Sequence, residues 1–101
     1  MAELYWSWTQ YELPDAAEDV GDVMLACESS LQSLGYEGVA VSADVHGYKP
    51  GIDLFAAIVF LEIGSGRTFW QVVAVGGDAD EADAQAELAQ IEEMIATLVF
   101  L

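Results

Sequence analysis

Between Ile52 and Val75 the chain leaves itself little choice of structure. From Ile52 to Ile63 it is apolar at both alternating sets of positions, broken only by Asp53 and Glu62. Gly64-Ser65-Gly66 follows, and then Thr68-Phe69-Trp70-Gln71-Val72-Val73-Ala74-Val75, again β-branched and aromatic. Two such runs about a short glycine turn predict a β-hairpin. A run without a polar face predicts strands covered on both sides. Each run is too short and too β-branched to cross a membrane as a helix.

The rest of the chain arranges itself around this hairpin. Glu3–Glu12 alternates and is rich in aromatics, which predicts a strand with Leu4, Trp6 and Trp8 on one face and Tyr5, Ser7, Thr9 and Tyr11 on the other. Pro14 closes it. A helix is predicted from Asp15 to Gly35. Asp15 and Glu18 have capping-box spacing, Val20, Met24, Cys27, Leu31 and Leu34 form the apolar stripe, and Gly35 supplies the C′ position. Val39, Val41, Ala43 and Val45 alternate with polar or small residues as a half-buried strand, and His46–Gly51 reads as turn chemistry. Gly76-Gly77 ends the sheet. Asp78 and Glu81 repeat the capping-box spacing before a second stripe of Ala84, Leu88, Ile91, Ile95 and Leu98. The expected architecture is a single α+β domain of order β-α-β-β-β-α, an antiparallel sheet of three to four strands with two helices packed on one face.

Charge narrows the function classes. The 101 residues carry 18 acids against two bases, a net charge of −16. The 54% hydrophobic content favours a folded chain despite that charge. Such a balance repels nucleic acid and anionic membrane and attracts basic partners. Direct nucleic-acid binding is not expected on these grounds, since no Lys/Arg patch exists to replace counterions at phosphates. The α-β-β-β-α portion shares its element order with double-stranded-RNA-binding domains. Asp80, Glu81 and Asp83, however, stand where such a domain needs bases. One cysteine, Cys27, excludes an internal disulfide and sits within a helix stripe, as a core residue does. No basic stretch followed by an apolar one opens the chain, so an intracellular, cytoplasmic compartment is expected.

The acids concentrate in and beside the two helices; between Gly38 and Gly77 only Asp44, Asp53 and Glu62 occur, with both bases, Lys49 and Arg67. Asp15, Glu18, Asp19 and Asp22 are spaced i, i+3, i+4, i+7 and oppose the first helix's stripe. Together with Asp80, Asp83, Glu87 and Glu93 they predict one negative surface on the outer side of the helix layer. Part of that acidity is ordinary, because first-turn carboxylates meet the helix macrodipole favourably. The absence of compensating cations points to a further use: docking a basic protein, or adaptation to high salt, where such charge is screened. A rigid row of carboxylates can occupy the basic groove of a nuclease or nucleic-acid-binding complex. In size and charge, though in no motif, the chain looks like nucleic-acid-mimicking inhibitors such as phage anti-defence proteins and the immunity proteins of nuclease toxins.

A second surface competes for the role. Aromatics alternate along strands, so Trp6, Trp8, Phe55, Phe69 and Trp70 cannot all lie beneath two helices. Some, with Trp6/Trp8 or Tyr5/Tyr11 among them, must lie on the uncovered face, and Tyr5, Trp6, Trp8, Tyr11 and Trp70 are its candidate interface residues. The uncovered face then fits an interface with a partner or a second copy, as in an acidic chaperone or assembly subunit. Chemistry is less well provided. Asp44-x-His46, with Asp53 across a loop, falls short of a metal site. Asp78–Asp83 lacks the glycine and the terminal glutamate of a calcium loop, and no phosphate loop or nucleophilic triad can be assembled. No catalytic residue, metal or cofactor is expected. The leading expectation is a non-enzymatic inhibitor acting through the acid face; the alternative is an assembly module acting through the sheet.

Overall fold

Seven elements follow in order: β1 (Glu3–Glu12), α1 (Val20–Ser33), β2 (Glu37–Val41), β3 (Asp44–Lys49), β4 (Leu54–Ile63), β5 (Thr68–Gly77) and α2 (Glu81–Val99). The structure is a computed structural model that describes residues 3–13, 18–63 and 67–99. The apolar hairpin is the middle of the sheet. β4 and β5 pair from Leu54–Gly77 to Ile63–Thr68, and the Gly64-Ser65-Gly66 turn lies outside the described residues. β1 runs along the other edge of β5, and β3 and β2 extend the sheet from β4, giving the antiparallel order β1-β5-β4-β3-β2. Leu13 ties the end of β1 to the hairpin: its N–H donates to the Arg67 carbonyl at 2.7 Å, and Arg67 Nη2 donates back to the Leu13 carbonyl at 3.2 Å.

The sheet therefore has five strands where three to four were expected. The segment read as one strand through Val45 is two, and His46–Lys49 is strand, not turn. The reason lies in the register. Val41 pairs with Val45, so the two are an even number of positions apart along the chain and the alternation continues through the turn in phase. Ser42 N–H closes this turn on the Asp44 carbonyl at 2.9 Å, without glycine or proline to mark it. A bulge between Glu37 and Ala40 then breaks the β2 register.

Both helices begin later than their capping patterns suggest. α1 starts after Asp19, whose backbone is extended; its first turn is joined to the preceding chain by the Glu18 N–H, which donates to Asp22 Oδ2 at 2.8 Å. Asp15 lies outside the described residues. α2 starts after Asp80 rather than Asp78, with Ala84 N–H donating to the Asp80 carbonyl at 2.9 Å. The end of α1 is as expected: Gly35, at φ 96°, donates to Gln32, and Tyr36 N–H folds back to Leu31, the paired bonds of a Schellman motif. Gly77, at φ 149°, leaves room where β5 passes the Asp53 carbonyl, which a Cβ there would strike.

The helices lie side by side on one sheet face and run in opposite directions. α1 starts at the hairpin end, and its C-terminal Tyr36 meets Glu87 in the second turn of α2. Their stripes (Met24, Cys27 and Leu31; Leu88, Ile91 and Ile95) close over Ile58, Phe69, Val73 and Val75. Among the described residues no helix is long and apolar enough to cross a membrane.

Two buried groups generate tests of this core. Gln71 is 2% exposed and, among the described residues, its Nε2 finds no hydrogen-bond partner. An orphaned buried amide costs about 1–3 kcal/mol, so Gln71→Met should raise unfolding free energy by about 1 kcal/mol or more, read from urea denaturation. Burial pushes the Cys27 thiol up to about 12 and raises the Tyr36 phenol, which also donates to Glu87. Both shifts favour the neutral form in the folded chain. The stability they contribute is complete below the ordinary values of 9.0 and 10.0 and is lost as pH climbs past them. Tm should hold level up to pH 9.0 and fall above it, and Cys27→Ala should remove the earlier part of that fall.

Candidate protein-binding surfaces

The sheet's outer face is built from alternate residues in register across the strands. One row runs Trp8, Val72, Val59, Asp44; the next runs Trp6, Ala74, Ala57, His46. Beyond the first row, towards the hairpin end, Gln10, Trp70 and Leu61 are aligned. Beyond the second, Leu4, Gly76, Phe55 and Tyr48 are aligned. No described element covers this face, and its large side chains are open: Trp6 is 60% exposed, Trp8 58%, Phe55 59% and Trp70 44%.

β1 settles which aromatics lie where, and it does so against the usual preference. Its tryptophans face outward, while Tyr5 packs against the core and the Ser7 hydroxyl donates to Glu92 of α2. Of the five residues expected at a sheet interface, Trp6, Trp8 and Trp70 share the outer face. Tyr5 does not, because α2 needs that side of β1. Tyr11 pairs with Phe69, at a register position on the helix side. Leu4, which alternates with Trp6 and Trp8 along β1, and Phe55 and Leu61 of β4 join the face. Leu61 was not singled out in the sequence; its signal was the hairpin register, which puts it beside Trp70.

The face has relief. At the hairpin end the rings of Trp8 and Trp70 meet edge-on at 5.9 Å, and Trp70 Nε1 donates to Gln10 Oε1 at 3.2 Å, so the ridge is braced. At the other end the small residues Ala57, Ala74 and Gly76 floor a trough of about 720 Å³ between Leu4 and Phe55. Phe55 is backed by Tyr48, whose ring lies 4.5 Å away and whose hydroxyl donates to Asp53 at 2.6 Å. That bond raises the Tyr48 phenol above its usual range.

The helix layer carries the acids, but not as one row. Because the helices are antiparallel, Glu18, Asp19 and Asp22 lie at the hairpin end and Asp80 and Asp83 at the other, all exposed; Glu93 is exposed further along α2. Glu87 is set apart from them. It lies inward, at 13% side-chain exposure, accepting from Lys49 Nζ and from the Tyr36 hydroxyl, each at 2.9 Å. The Lys49 ammonium also stands 5.4 Å above the Tyr36 ring. Lys49→Met would leave this carboxylate half-buried without its cation and should cost about 1–3 kcal/mol in urea denaturation. Adding Glu87→Gln should recover part of that loss, a coupling that a double-mutant cycle measures.

Groups with chemical potential are dispersed. His46 Nδ1 lies 3.2 Å from Asp44 Oδ1 on the outer face, while Asp53 is engaged by Tyr48. Among the described residues no three His, Cys, Asp or Glu side chains cluster as metal ligands. Cys27 is fully buried. The chain matches no protein-family model, no curated protein and no solved structure.

Proposed function

We propose that the chain is a non-enzymatic protein-binding module, an assembly subunit whose working surface is the outer face of the sheet. The inverted pattern of β1 carries this reading. A strand that opens its tryptophans to water and turns Ser7 towards a helix gains nothing as an isolated monomer. It makes sense if the open face is covered in the working state. The composition fits an interface: apolar and aromatic at its centre, with Asp44 and His46 towards the β3 side. Tryptophan is among the residues that dominate binding energy when desolvated. A reducing intracellular compartment suits an unpaired thiol.

A second reading, inhibition of a basic nucleic-acid-handling protein through the helix layer, is favoured by the exposed carboxylates of Asp19, Asp22, Asp80 and Asp83. Their split between two ends of the layer makes it the weaker one, since a nucleic-acid mimic needs a continuous line of charge. A photo-activatable phenylalanine analogue placed at Phe55 or at Asp83 in living cells separates the two. Protein cross-links should form from position 55 and not from 83. The reverse pattern would transfer the function to the acid face, and cross-links from neither would end the binding reading.

A further inference from the structure

Resting on the reading of the outer sheet face as the working surface, we infer that its occupant is a second copy of this chain, packed sheet against sheet as a two-fold dimer. The relief of the face is the first reason. A ridge at one end and a trough at the other make a surface complementary to itself under a two-fold rotation. With the axis between the two sheets and directed across the strands, each hairpin end lies over the other copy's open end. Trp70 then meets the second copy's Gly76 and Ala74, Leu61 meets its Phe55, and Trp8 comes beside its Trp6. The same axis sets Asp44 over the second copy's His46, so this carboxylate gains a matching group at each β3 side, while Glu37, Asp53 and Asp78 line the trough at its open end.

Size is the second reason. Three neighbouring ten-residue strands about 33 Å long and the six-residue β3 beside them, each about 4.8 Å wide, offer roughly 570 Å² in projection. Side-chain relief adds to that, and a stable interface takes roughly 800 Å² from each partner. Charge is the third. A sheet pair puts both helix layers outside, with the helix-layer acids about 30 Å apart across two sheets and two helix layers. That is several times the Debye length of about 8 Å at physiological salt. Two chains of net charge −16 can therefore meet through this face, whereas contact through the helix layers would bring like charges together.

All three tryptophans of the chain, Trp6, Trp8 and Trp70, stand on this face, so their emission reports its state without labels. The purified full chain should sediment at twice its 10.9 kDa monomer mass, with blue-shifted tryptophan emission that moves to the red on dilution as the mass halves. Trp70→Lys, which charges the ridge, and Ala74→Trp, which fills the trough, should each give a folded monomer by circular dichroism. Asp83→Lys on the helix layer should leave the dimer intact. A wild-type chain that stays monomeric at every concentration overturns the inference. If position 55 then cross-links to a different protein, the sheet face remains the working surface and only the second copy is refuted. A dimer that survives both Trp70→Lys and Ala74→Trp overturns it too, because the pairing surface would lie elsewhere.

Discussion

The structure depends on the register of one hairpin. Pairing Leu54 with Gly77 and Ile63 with Thr68 decides which alternate residues of β4 and β5 enter the core, because a slip of one position would exchange every side chain between faces. In this register Leu54, Ile58, Phe69 and Val75 face the helices, and Phe55, Leu61 and Trp70 do not. The strands are apolar on both sides, so the two helices cannot bury everything the hairpin offers. Two stripes cover one face, and the surplus remains on the other. The open aromatic face is thus a direct consequence of the hairpin that makes the fold stable.

Much of this was legible in the sequence. The hairpin was visible from its glycines and its β-branched runs, the end of α1 from Gly35, and the α2 stripe from Ala84, Leu88, Ile91 and Ile95. Where the reading failed, two structures shared one pattern. Val41 and Val45 alternate in phase across a turn, so one strand and a hairpin give the same series of residues. The alternation of β1 gives two faces, Leu4/Trp6/Trp8 and Tyr5/Ser7/Thr9, without saying which one the helices cover. Only the position of α2 decides it, by taking the Ser7 hydroxyl through Glu92. Glu87 resembles its acidic neighbours on a helical wheel, yet Lys49 and Tyr36, from distant parts of the chain, draw it inward. Such pairings depend on tertiary placement, which periodicity within one helix does not encode.

The acidity and the apolar sheet face are best understood together. A sheet with one naked face and two edge strands, β1 and β2, is prone to unlimited association. The proposed face-to-face pairing would consume the apolar surface in a single closed step, because an isologous contact leaves no copy of itself unsatisfied. In that dimer the outward surfaces would be two helix layers that expose Glu18, Asp19, Asp22, Asp80, Glu81, Asp83 and Glu93. A third copy approaching any helix layer meets like charge, and its own apolar face finds nothing to match. The cation that the fold does enclose, Lys49, is spent inside on Glu87 and so does not weaken this outer repulsion. Net negative charge, which alone would only favour solubility, would in the proposed dimer stop assembly at a defined size.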